Sequence, residues 1–188
     1  MNKTKRKIFE TSMKLFAEKG YDATSIEEIT SVVGVAKGTL YYHFSSKEEI
    51  FNFLVDEGMK LLKNSIEIKT SKCETTIDKL KAVSLIQLKT IYKYENIITI
   101  VLSQMFGTGA RNVFCREKVI EYVNVIQKII EEGLERDDIR VCNSELMAAQ
   151  IFSLTCTSLI YIRKTKQELQ IKELENEYEL TFLNLLGK

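Results

Sequence analysis

Apolar residues along the 188-residue chain recur at steps of three and four almost throughout, the period of helices buried along one face. The first such stretch runs from about Thr4 to Lys19, with Ile8, Ser12, Leu15 and Phe16 on one face, and stops at Gly20. Ser25 then stands three residues before Glu28, the capping-box spacing in which each side chain accepts from the other's backbone N–H. A second helix therefore starts near Ser25, buries Ile26, Ile29 and Val33, and ends at Gly34. A tight turn leads into a short helix from Val35 to about Phe44, with Val35, Leu40 and Phe44 turned inward. Ser45 with Glu48, or Ser46 with Glu49, caps a long fourth helix from Lys47 to about Ile68. Helix, helix, glycine turn and short helix form the helix-turn-helix pattern, whose second element enters a major groove.

The remainder keeps the helical period. Helices are predicted over Thr75 to Tyr94 and Asn96 to Phe106, then, after the loop Gly107-Thr108-Gly109, through Val119 to near Arg136. Asp137 to Cys142 forms a connector, Asn143 or Ser144 caps an eighth helix reaching about Lys164, and Glu168 to Leu186 makes a ninth. The expected fold is all-α with about nine helices: a three-helix DNA-binding domain over residues 1–46, its motif at about 25–44, and a helical domain over 47–188.

The chemistry concentrates on the third helix. With Val35, Leu40 and Phe44 inward, Lys37, Gly38, Thr39, Tyr42, His43 and part of Tyr41 face out. A lysine donates to guanine or phosphate, a glycine lets backbone approach closely, and a threonine meets a thymine methyl or a phosphate. The two tyrosines and the histidine offer ring faces with polar tips for sugars and phosphate oxygens. Lys47, Thr24 and Ser25 sit at helix N-termini, where free N–H groups and the helix dipole favour a phosphate. The basic tail Lys3, Lys5, Arg6 and Lys7 either lies along the DNA or is a solvated terminus.

These residues carry a resemblance. Gly34-Val35-Ala36-Lys37-Gly38-Thr39-Leu40-Tyr41-Tyr42-His43-Phe44, followed by Ser46-Lys47-Glu48-Glu49 and preceded by Phe16-Ala17-Glu18-Lys19-Gly20-Tyr21 and Thr24-Ser25-Ile26, resemble the DNA-binding domain of the tetracycline-repressor (TetR) family of bacterial transcription regulators. The resemblance implies a homodimer with a variable C-terminal domain that binds an inducer and forms the dimer. By position it assigns DNA contact to Thr24, Ser25, Lys37, Gly38, Thr39, Tyr41, Tyr42, His43 and Lys47. Beyond the first 55 residues or so only the layout matches, and Asp137 and Asp138 stand where a glycine is common.

Two further sets follow from the helical period. Met147, Ile151, Leu154, Ser158 and Tyr161 on the eighth helix, and Ile171, Leu174, Tyr178 and Phe182 on the ninth, form heptad-like seams that would pair across a dimer as a four-helix bundle, or pack on their own core. Leu88, Tyr92, Leu102, Met105, Phe106, Phe114, Tyr122 and Ile126, with Phe152 and Thr155, mix apolar walls with a few hydroxyls. That composition suits a pocket for a largely apolar small molecule and equally describes a filled core.

Composition sharpens this picture more than it redirects it. Zero prolines and eight glycines leave few breakers, against sandwiches and barrels with their many tight turns. The net charge of +1 is uneven, with eight Lys/Arg against five Asp/Glu through residue 47 and 19 against 21 afterwards. A basic reader on a mildly acidic body suits nucleic acid. No apolar run reaches the roughly 18 residues of a membrane span and no apolar stretch follows the N-terminal charges, which points to the cytoplasm. The four cysteines form no C-x-x-C pair and read as buried free thiols, with no metal or cofactor expected. His43, the single histidine, rules out HExxH and is better used at the DNA surface than in a triad. Gly107-Thr108-Gly109 matches no phosphate-binding loop, so no enzyme is expected.

The function expected is a sequence-specific DNA-binding transcriptional regulator on a pseudo-palindromic operator, a repressor released by a small-molecule inducer. The alternatives are a ligand-dependent activator and a small-molecule-binding protein whose DNA module is vestigial.

Overall fold

A computed structural model describes residues 1–164 and 171–187, apart from the side chains of 95–97, 159–160, 162–164 and 171. The described residues form α1 (Lys3–Lys19), α2 (Ile26–Val33), α3 (Lys37–His43), α4 (Lys47–Thr70), α5 (Thr76–Lys93), α6 (Glu95–Ser103), α7 (Ala110–Glu135), α8 (Ser144–Lys164) and α9 (Ile171–Leu186), with a 3-10 turn at Gln104–Phe106 between α6 and α7. They contain no strand and no helix long and apolar enough to cross a membrane. The chain divides into two compact units, Met1–Met59 with Tyr94–Lys118, and Lys60–Lys93 with Val119–Lys188. The first unit thus takes in more than residues 1–46: it adds the start of α4, all of α6 and the start of α7.

In the first unit α1 packs against α2, α3 and α6. Ile8, Phe16, Ile29, Leu40, Ile50 and Phe51 are fully buried, and each such side chain contributes about 1.5–3 kcal/mol relative to exposure. Phe16, Tyr21 and Phe51 form a ring cluster with centroids 5.2–6.4 Å apart. The basic N-terminal segment is the first turn of α1 rather than an extended arm: Asn2 caps it by accepting from the Lys5 N–H at 2.8 Å. Lys5 lies over the Phe44 and Phe53 rings, and Arg6 pairs with Glu10.

In the second unit α5 packs against α8 and α9, with Leu80, Val83 and Leu88 buried. Helix α7 ends as helices with a left-handed cap do. The Asp138 N–H donates to the Gly133 carbonyl at 2.9 Å and the Asp137 N–H to Leu134 at 3.1 Å. Asp137 takes the positive φ of 56° that a glycine usually supplies, so the departure noted at this turn keeps the cap geometry. Asp138 then reaches α5, its carboxylate accepting from the Thr76 N–H at 2.7 Å. Thr76 is buried so close to α7 that a Cβ on Gly133 would meet its hydroxyl oxygen at 2.5 Å.

Candidate nucleic-acid interface

Helix α2 starts where Ser25 Oγ accepts from the Glu28 N–H at 3.1 Å. The reciprocal half of the expected capping box is absent here, because the Glu28 carboxylate pairs with Lys19. The helix ends at Gly34, whose φ of 76° and ψ of 40° lie in the left-handed region that glycine enters without a side-chain clash. At seven residues, α3 is too short to persist alone in water. Burial of Leu40 within it and of Phe44 at its end anchors it to the unit. Ser46 caps α4 by accepting from the Glu49 N–H, and Glu49 returns the bond to the Ser45 N–H at 2.6 Å.

Of the residues expected at the DNA, five are exposed, three half-buried and one buried. Lys37, Gly38, Tyr41 and Tyr42 are exposed, Tyr42 at 83 %. Thr39 and His43 are half-buried, and the His43 ring stands edge-on to Tyr42 with centroids 5.0 Å apart. The Lys37 ammonium is paired with Glu27 of α2. Ser25 is exposed, with its hydroxyl oxygen engaged in the α2 cap.

Two expected phosphate contacts look inward instead. Thr24 is 1 % exposed and donates its hydroxyl to the Gly20 carbonyl at 2.8 Å. The Lys47 ammonium donates to the Tyr21 and Thr24 carbonyls, both at 2.9 Å, and lies 4.3 Å from the Tyr21 ring centroid. These side chains hold the α1–α2 loop, because a polar loop without such partners would leave buried carbonyls unsatisfied. Arg111 completes that bracing. Its guanidinium lies 3.7 Å from the Tyr21 ring centroid, contacts Glu48 at 3.2 Å and reaches Asp22 at 3.5 Å, while Tyr21 donates to Glu48 at 2.7 Å. Burial, then the bond to Glu48, pushes the Tyr21 hydroxyl well above its ordinary range.

The expected pocket residues fall in both units. In the first, Leu102, Met105 and Phe114 are half-buried, while Phe106 is 95 % exposed on the 3-10 turn and lines no core. Arg116 fastens that turn by donating to the Met105 carbonyl at 3.1 Å and the Gly107 carbonyl at 2.5 Å. In the second unit Leu88, Tyr122, Ile126 and Thr155 are buried, Phe152 is half-buried, and Tyr92 is exposed. A residue absent from the expected set links them. Gln87 accepts from the Tyr122 hydroxyl at 3.0 Å and donates to the Phe152 carbonyl at 3.0 Å, with the Tyr122 and Phe152 rings 5.8 Å apart.

The expected dimer seams also divide. Ile151, Tyr178 and Phe182 are buried within the chain; Met147, Leu154, Ser158 and Leu174 are half-buried and Tyr161 is exposed. The side chain of Ile171 lies outside the described residues. Of these faces, Ile151, Tyr178 and Phe182 serve the chain's own core. Among the described residues the outward apolar positions are Leu146 and Tyr161 on α8 and Leu180, Leu183 and Leu185 on α9. Of the cysteines only Cys115 is fully buried, and burial pushes its thiol to about 11. The described residues bring together no group of metal-binding side chains.

Residues 8–53 match the family model described as bacterial regulatory proteins, tetR family. The chain belongs to the TetR family. The HTH-type transcriptional regulator QacR of Staphylococcus aureus is 26% identical over 187 residues, covering 98% of each chain. The IcaR protein of the same species, named as an HTH-type negative transcriptional regulator of a biofilm operon, is 40% identical over 76 residues, 40% of this chain and 41% of that one. A solved structure from Clostridium perfringens, named as a regulator of fatty acid metabolism, superposes with a TM-score of 0.84 at 31% identity, covering 97% of this chain and 98% of that one. This TetR-family chain is therefore a helix-turn-helix transcriptional regulator that binds DNA.

Proposed function

We propose that this regulator is a homodimeric repressor that sets its two α3 helices into successive major grooves of a pseudo-palindromic operator, about 34–36 Å apart, and leaves the DNA when a small molecule binds its helical core. The observation that carries the reading is the outward row Lys37, Gly38, Tyr41 and Tyr42 on a helix pinned from behind by Leu40 and Phe44. Of the residues the resemblance assigns to DNA, Ser25, Thr39 and His43 border that row, while Thr24 and Lys47 act by shaping the loop beneath it.

The outward residues Leu146, Leu180 and Leu183 favour pairing through α8 and α9 as a four-helix bundle. The inducer is largely apolar, because the second unit's interior is lined by Leu88, Ile126 and Phe152 with the uncharged polar groups of Gln87, Tyr122 and Thr155. It acts through its differential affinity for the operator-bound and released states. No catalytic step enters this mechanism, and the protein works in the cytoplasm, where the operator is.

Replacing Tyr42 with alanine tests it. The ring packs on no core, so the melting temperature should stay within about a degree of wild type, the change expected of an exposed substitution. Operator affinity should fall about 10- to 100-fold in fluorescence anisotropy, the size of one good DNA contact. Undiminished affinity in a folded Tyr42→Ala protein would refute α3 as the reading helix.

A further inference from the structure

One charged group beside the α3 surface has no part in the reading above. Glu27 is exposed in the first turn of α2, and its carboxylate holds the ammonium of Lys37, the first residue of α3. Side-chain exposures of 62% for Glu27 and 53% for Lys37 make this a surface ion pair, which adds little to stability. Its neighbour Glu28 faces the other way in function, pairing with Lys19 at the end of α1. Of the two carboxylates of that turn, Glu27 is the one paired with α3.

A carboxylate at a DNA-facing surface is electrostatically costly. It stands in the field of the phosphates and offsets the charge of the lysine meant for DNA. The cost is repaid at a site where the carboxylate itself has a partner on the DNA. In the major groove the amine donors are cytosine N4 and adenine N6; adenine sets its N7 acceptor beside the amine, so cytosine N4 is the better partner of Glu or Asp, just as guanine O6 and N7 accept from Lys. The Lys37 ammonium, by donating to the carboxylate, holds Glu27 below the usual glutamate range, so at neutral pH it is purely an acceptor. The pairing also restrains a long, flexible lysine whose reach is otherwise poorly defined.

We infer that Glu27 is a specificity-determining residue, its carboxylate accepting from a cytosine amine while the Lys37 it restrains donates to a neighbouring guanine. The two side chains then select adjacent G·C pairs in each half-site, and a guanine or thymine in the cytosine's place, with no amine donor on its major-groove edge, leaves the carboxylate unpaired against phosphate. This inference rests on α3 as the reading helix.

The test is selection from a randomised duplex library by the full-length wild type and by Glu27→Ala, Glu27→Gln and Lys37→Met. Binding of the enriched duplex and its single-base-pair variants is then measured at two salt concentrations. Wild type should enrich a site with G·C pairs at symmetric positions, where substitution weakens binding about tenfold or more. In Glu27→Ala that penalty should shrink to about threefold or less, and in Glu27→Gln, which keeps an acceptor without the charge, to a value between this and wild type; in both, binding to unrelated duplex should be equal or tighter, with a steeper salt dependence from the freed Lys37 and an unchanged melting temperature. Tighter binding to every duplex by one common factor, with preferences intact, would reduce Glu27 to bulk repulsion and overturn the inference. So would a preference lost in Lys37→Met but kept in both Glu27 variants. A wild type that enriches no site would instead strike down the α3 reading, and this inference with it.

Discussion

Tyr42 and Tyr122 carry the same side chain in opposite settings. Tyr42, on a seven-residue helix of the first unit, is 83 % exposed with its ring edge-on to His43. Tyr122, on α7 in the second unit, is 2 % exposed, its hydroxyl donated to Gln87 and its ring against Phe152. Burial pushes the Tyr122 hydroxyl far above its ordinary range, so it stays a neutral donor. A buried polar group must be satisfied where it stands, which makes Tyr122 part of what orders the second unit. An exposed one is satisfied by water until a partner displaces it. The first unit leaves Tyr42 available while its core is built from Phe16, Tyr21 and Phe51; the second places Tyr122 inside, where with Gln87 and Phe152 it joins α5, α7 and α8 to one another.

The contrast can be broken most forcefully at Tyr122. Tyr122→Ala removes a fully buried ring and leaves the Gln87 amide oxygen without its donor, so the loss of stability should be about 3–5 kcal/mol in urea unfolding. Tyr122→Phe isolates the hydroxyl, and a loss of about 1–2 kcal/mol is expected from the orphaned amide alone. Equal losses in the two variants would mean that the hydrogen bond, and not the ring, holds this core together. Gly133→Ala probes a different join in the same unit. Its Cβ would meet buried Thr76, and the overpacking should cost about 1–3 kcal/mol despite alanine's better helix propensity. A stabilised Gly133→Ala protein would show that α5 and α7 can separate there freely.

The same two regions differ in what the amino-acid order reveals. Ser25, Gly34, Ser46 and Glu49 act on backbone groups within a few residues of themselves, so the helix-turn-helix and the outward row on α3 were legible from spacing. Lys47 and Thr24 were read as phosphate ligands because helix N-termini attract anions, a local argument. Lys47 is drawn inward by carbonyls 26 and 23 residues away, and Thr24 by the Gly20 carbonyl as the loop folds over Tyr21. Arg111 meets Glu48 across 63 positions and Gln87 meets Phe152 across 65, separations that no local pattern encodes. Periodicity on α8 and α9 identified faces correctly as apolar, but burial of Ile151, Tyr178 and Phe182 in the chain's own core depends on how much apolar surface α5 offers them. The first helix was read from about Thr4 and starts at Lys3, so only the Asn2 cap on the Lys5 N–H went unread.

The smallest effect is expected at the turn where Asp138 reaches α5. Accepting the Thr76 N–H, with Arg136 and Lys79 near, holds the Asp138 carboxyl below the usual aspartate range. A folded-state value lowered in this way contributes stability that is fully present above the unfolded value and is lost as pH falls through the folded one. Asp138→Asn keeps an acceptor for Thr76 but cannot titrate. At neutral pH it should be less stable by about 0.5–1 kcal/mol, the worth of a capping charge at a helix N-terminus. The difference should vanish as the wild-type carboxylate is protonated, so unfolding curves of the two proteins converge as pH falls below the ordinary aspartate value. Curves that stay parallel through that range would assign the acid sensitivity of the second unit to its surface pairs, Lys81 with Glu179 and Lys63 with Glu121. The contrast with the first unit would then lie in the neutral network around Gln87 and not in the charged cap at Asp138.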